Sequence, residues 1–145
     1  MILPDELVAK LAIPAIRALI ARRLMTVYGL TQKQVAEKLG ITQAAVSNYA
    51  NGKRGITFKA EDYPEVELGI ETLSEELAKG RADESSIMTR MTELCDYIRL
   101  QRLMCTPHKV LEPGLDVASC HACDEPLLRR PEITISGLSA LKSAA

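Results

Sequence analysis

Leu30-Thr-Gln-Lys-Gln-Val-Ala-Glu-Lys-Leu-Gly-Ile-Thr-Gln-Ala-Ala-Val-Ser-Asn-Tyr-Ala-Asn-Gly52 reads as two short helices crossing at a tight turn. Thr31 is a good N-cap for a helix through Leu39, and Gly40 suits its C-terminal exit. Thr42 caps a second helix that runs to Ala50, closed by Asn51 and Gly52. Ala36 is small where the helices would touch, while Val35, Leu39, Ile41 and Val46 supply a shared apolar seam. The short polar positions Gln43, Ala44, Ser47 and Asn48 then lie on the face away from Val46.

That outward face has the chemistry of base reading. Amide side chains in a major groove bond bidentately to adenine, and an alanine methyl meets that of thymine, so Gln43 and Asn48 are the foremost candidates, with Ala44 and Ser47 beside them. Thr31 and Gln32 open the preceding helix, whose N-terminal amides and dipole suit a phosphate. Asn51, Lys53 and Arg54 leave the second helix toward the nucleic-acid backbone. Contacts of that kind set affinity and salt dependence rather than sequence choice. The charge distribution agrees. Residues 1–60 hold nine Lys/Arg against three acids, a net +6, whereas the remainder carries −7 and conceals it in a total of −1. A polyanion would meet the first part and avoid the second.

Working outward, 145 residues leave room for one domain, or for one small domain plus an appendage. Aromatic residues make up 3% and tryptophan is absent, so the core is aliphatic and the fold mainly α. Upstream, Pro14 fits the first turn of a helix after a shorter helical lead-in; Ile16, Leu19, Ile20, Leu24 and Val27 recur behind it until Gly29. Downstream the pattern weakens around Pro64, and Ile70 to Ala78 forms a short acidic helix ending at Gly80, which closes a domain of residues 1–80. Arg81 to Ser86 reads as a linker or cap. Ile87, Met91, Leu94 and Ile98 then alternate at spacings of four and three, a stripe that needs a partner, so residues 81–104 are expected to form a linker and dimerisation helix. After Met104 periodicity gives way to a loop-rich segment, residues 105–145, with Pro107, Pro113, Gly114, Pro126 and Pro131 and a tail from Gly137 that reads as frayed. The apolar run from Leu7 to Leu24 is interrupted by Lys10, Arg17, Arg22 and Arg23, and no cleavable signal pattern precedes it. It therefore reads as amphipathic, with no membrane partner and a cytoplasmic location.

In a reducing compartment, four cysteines, all between residues 95 and 123, point to a metal or to redox chemistry. Cys105-Thr-Pro-His108 and Cys120-His-Ala-Cys123 are two chelating pairs with eleven residues between them. A tetrahedral zinc ion held by Cys105, His108, Cys120 and Cys123 would staple a segment too short to pack alone. Cys95, ten residues ahead on what reads as the same helix, is left over by a closed zinc site. An iron-sulfur cluster on Cys95, Cys105, Cys120 and Cys123, or on three cysteines and His108, is the alternative. A metal-free disulfide between Cys120 and Cys123 is a third. Cys95 also fits a plainer role, as a small apolar residue in a stripe with Met88, Met91 and Ile98, and His121 reads as a solvated neighbour. Catalysis is disfavoured: neither of the two histidines accompanies a convincing nucleophile or carboxylate pair, and four protein ligands leave a metal no open position. The chain is not expected to be an enzyme or to take a small-molecule substrate.

Thr-Gln-x-x-Val-Ala from Thr31, Gly-Ile-Thr-Gln-x-x-Val-Ser from Gly40 and Asn-Gly-Lys from Asn51 together resemble the phage-repressor helix-turn-helix family of the Cro and XRE type, over roughly residues 14–80. With Ile13-Pro-Ala-Ile-Arg17 and the downstream cysteines, the whole chain also resembles a group of archaeal transcriptional regulators. The resemblance implies a lambda-repressor-like helical domain that binds a double-stranded DNA operator as a homodimer. The Ile87-to-Ile98 stripe would pair two subunits, setting the recognition helices on half-sites about one DNA turn apart. A metal segment following on that stripe would be placed to alter DNA affinity. The competing expectation is a non-sensing interaction protein, with purely structural zinc and an acidic C-terminal part that docks a basic partner.

Overall fold

Pro14 lies inside a long helical run rather than ending it. In the computed structural model, which describes residues 1–55 and 58–129, α1 (Pro4–Leu7) passes through a π-helical turn, Val8–Ala12, into α2 (Ile13–Thr26). Proline has no N–H to return to the preceding turn, and a wider π turn lets the helix pass that point without breaking. The run buries one face completely: Leu7, Ala12, Ala18, Ile20, Ala21 and Leu24 have no exposed surface. The alanines on that face let neighbouring helices come close, and α2 becomes the central helix.

Two short helices pack next to it. α3 (Gln32–Leu39) opens on a reciprocal cap: the Gln34 N–H donates to the Thr31 hydroxyl at 3.2 Å, and the Thr31 N–H to the Gln34 side chain at 2.9 Å. Gly40 ends it in the left-handed region at φ 63°. α4 (Gln43–Ala50) starts where the Thr42 hydroxyl accepts the Ala45 N–H at 3.0 Å. These boundaries coincide with those read from the sequence. α4 packs on α2 and α3, its Val46 and Tyr49 buried in the shared core.

Beyond a 3-10 turn, Ala60–Asp62, α5 (Pro64–Ala78) begins six residues earlier than the sequence pattern suggested. Pro64 opens the helix instead of interrupting a loop, since its missing N–H is one that a first turn leaves unused. Val66, Ile70, Leu73 and Leu77 then bury one face. α6 (Glu84–Leu100) also starts inside the expected linker, because the Asp83 carboxylate caps the Ser86 N–H at 2.8 Å. Its apolar stripe finds a partner within the chain. Ile98 is fully buried, Cys95 is buried, and Ile87, Met91 and Leu94 pack against the same core as α2 and α5. Gly69 makes room for Leu94, whose Cδ2 lies 2.5 Å from where a Cβ would stand. The stripe expected to pair two subunits thus packs within one, Ile98 wholly and Ile87, Met91 and Leu94 in part, and the core cluster extends from Leu7 to Met104.

Arg102 takes φ 56°, the one positive value among the described non-glycine residues, and breaks the chain direction after α6. Two helices follow in the segment expected to be loop-rich: α7 (Cys105–Leu111), with Pro107 in its first turn, and α8 (Glu125–Leu128), which packs on α6. Cys95 and Cys105 accordingly stand on different helices. Pro131 and the tail from Gly137 lie outside the described residues.

Gly55 ties the segment after α4 to α2. At φ 75°, a Cβ there would stand 2.5 Å from the Pro14 carbonyl oxygen and 2.6 Å from the Ala18 Cβ. Both obstacles are rigid, and the backbone conformation itself is costly for any L side chain. Gly55→Ala is expected to lower stability by about 2–3 kcal/mol, read as a reduced urea midpoint at unchanged slope. A midpoint equal to that of the parent chain would refute this contact.

Candidate nucleic-acid interface and cysteine cluster

α4 turns Val46 and Tyr49 inward; helical spacing sends Ala44, Ser47 and Asn48 the other way and leaves Gln43, three residues before Val46, at the edge between the two faces. Gln43 and Ala44 are exposed; Ser47 and Asn48 are half-buried. The Asn51 amide donates to the Ser47 hydroxyl at 3.3 Å, holding two polar side chains along one edge of the helix. The Asn48 carbonyl accepts the N–H groups of Lys53, at 2.9 Å, and Arg54, at 3.3 Å. That closure fixes where the two cations leave the helix. Lys53 is exposed, and the Arg54 guanidinium lies 5.3 Å from the centre of the Tyr49 ring, so a buried aromatic steadies an exposed charge. Thr31 is exposed and Gln32 half-buried at the start of α3. The Thr31 hydroxyl accepts within its own cap and keeps its proton free for an external acceptor. The sequence reading passed over Gln34, although Thr-x-x-Gln is the spacing of a reciprocal cap, and Tyr49, whose support of Arg54 has no local signal.

Residues 22–60 match the model of a helix-turn-helix family. Over these residues the chain is similar to a helix-turn-helix domain. The match runs from the second half of α2 through the turn after α4, supports the XRE-type reading and points to a DNA-binding transcription regulator. It ends well before the first cysteine. No curated protein and no solved structure gives a significant match to the chain. Among the described residues, no helix is long and apolar enough to cross a membrane.

The sequence-derived metal residues separate into two places. Cys105 and His108 sit on one face of α7, and the return of the chain brings Cys120 and Cys123 to the same small cavity, of about 20 Å³. Met104, Leu115, Val117 and Ala122 complete its lining. Cys95 instead borders a separate groove with Met88, Met91, Arg17 and Arg99. Burial pushes the Cys95 thiol up to about 11, with the Asp96 charge adding to it, so at neutral pH it is a protonated apolar neighbour. Burial and the nearby Cys105 raise Cys123 as well. All four thiols are free. His108 is buried, its Nε2 2.6 Å from Glu112 Oε2. Glu112 also accepts the Ile2 N–H at 3.0 Å, which joins the cluster to the start of the long helical run. Arg102 donates to the Val117 carbonyl and, at 2.9 Å, to that of Cys120. His121 is exposed and pairs with Asp124 at 3.1 Å, in keeping with a solvated neighbour. Among the described residues, no three His, Cys, Asp or Glu side chains already stand around one point in a ligating array.

Proposed function

We propose that this chain is a cytoplasmic, sequence-specific regulator of transcription that binds double-stranded DNA as a homodimer through α4. The carrying observation is the outward face of α4, where Gln43, Ala44, Ser47 and Asn48 stand clear of the buried Val46 and Tyr49 within the matched helix-turn-helix segment. In this reading α4 enters the major groove, Gln43 and Asn48 bond base edges, and Ala44 and Ser47 fill the space between. Thr31, Gln32, Asn51, Lys53 and Arg54 hold phosphates on either side. A single helix of this length spans few base pairs, so two copies on adjacent half-sites supply the affinity. With the Ile87-to-Ile98 stripe packed within the chain, the copies would meet through exposed residues of α6, Met88 among them. The cysteine segment is taken as the regulatory part. Its support is the pair of links it makes to the rest of the chain, Glu112 to the Ile2 N–H and α8 against α6.

Selection of duplexes from a random pool by the full chain, followed by anisotropy titration at several salt concentrations, tests the reading. One enriched motif and affinity falling steeply with salt are expected. Lys53→Ala should weaken binding to all sequences alike and reduce the salt slope by about 1. A pool that never enriches, or a slope that Lys53→Ala leaves unaltered, would count against this docking.

A further inference from the structure

We propose that Cys105, His108, Cys120 and Cys123 hold a single tetrahedral zinc ion, with Cys95 outside the site. The proposal stands independently of the DNA-binding reading.

Three observations carry it. The first is the sorting of the candidate ligands. Four line one cavity between α7 and the returning chain, whereas Cys95 faces a different groove bordered by α6 and the N-terminal helical run. A cluster using Cys95 would need α6 to turn, and Ile98, one turn along, is fully buried in the core. The second is size: about 20 Å³ admits one water-sized body, which suits a lone ion and not a cage of irons and sulfides. Three sulfur donors and one imidazole are a common set for structural zinc.

The third is the surrounding hydrogen bonding. With Nε2 of His108 directed to Glu112, the remaining ring nitrogen, Nδ1, is the one left for a metal. A carboxylate on the far nitrogen is what orients a zinc-bound histidine and raises its basicity. Arg102, in its unusual backbone conformation, fastens the Val117 and Cys120 carbonyls and so fixes the loop that returns Cys120. Because the side chains are not already drawn into a ligating array, the ion must gather them inward, each thiol releasing its proton to solvent as its sulfur binds zinc.

Elemental analysis of the full chain, then Co²⁺ titration of the chelator-treated protein, decides the matter. One zinc per chain is expected, and Co²⁺ should give thiolate-to-metal charge transfer with tetrahedral d–d bands at one equivalent. Cys95→Ser should keep both stoichiometry and spectrum; Cys120→Ser should lose the charge-transfer intensity of one sulfur. Glu112→Gln should keep the tetrahedral spectrum while weakening affinity about 10–100-fold, and far-UV circular dichroism shows whether each variant is folded. Iron with acid-labile sulfide, loss of metal in folded Cys95→Ser, or no Co²⁺ binding by the parent chain would each overturn the proposal.

Discussion

Replacing Ile98 by alanine is expected to remove about 2–5 kcal/mol of stability and to lower Tm by about 5–15 °C, by the same amount at low and high protein concentration. Ile98 has no exposed surface and sits where α6 meets the core that α2 and α5 share. Truncating it leaves a cavity that α6, held along its length by Ile87, Met91 and Leu94, cannot easily collapse. The concentration test gives the experiment its force. Were the stripe a seam between subunits, the loss would appear as dissociation, and the size of the Tm shift itself would depend on concentration, small where the parent is already monomeric and larger where it is paired. Calorimetry of both proteins over a range of concentrations separates the cases. Leu68→Ala, at an exposed position of α5, is the control and should change stability by no more than about 0.5 kcal/mol. A small, concentration-dependent effect at Ile98 would return the stripe to an intersubunit role.

This difference marks the limit of periodicity as a guide. Spacings of three and four show that one face of a helix is apolar, but not what covers it. The helix-turn-helix was legible to the residue because its boundaries are chemical: Thr31 and Thr42 offer hydroxyls to bare N–H groups, and Gly40 adopts a conformation other residues resist. α5 was misjudged at its start because Pro64 can either end a helix or open one, and only Val66 and Ile70 packing inward settles which. The separation of Cys95 from Cys105 depends on a reversal at Arg102, a residue with no intrinsic preference for positive φ, so nothing local announced it. Glu112 was within reach of the sequence. It lies four residues after His108, a spacing that puts both on one face once a helix is assumed there.

The double replacement Gln43→Ala with Asn48→Ala should reduce affinity for a selected duplex by about 10²–10⁴-fold, since each bidentate amide-to-adenine contact is worth about 1–3 kcal/mol. Binding to random DNA should hardly change, because Lys53, Arg54 and the start of α3, which on the proposed docking would supply the sequence-independent part, are untouched. The ratio of the two affinities, measured at one salt concentration, is thus the quantity to follow, and it should fall close to unity. Misfolding is a poor explanation for such a result. Neither residue belongs to the buried set, alanine is the better helix former, and the bonds that close the helix use the Asn48 backbone carbonyl, which the replacement retains. Tm should accordingly stay within about 2 °C of the parent. Should the ratio survive in a folded double variant, the base-reading face would have to lie elsewhere on the domain, and the outward side of α4 would be reduced to a phosphate contact.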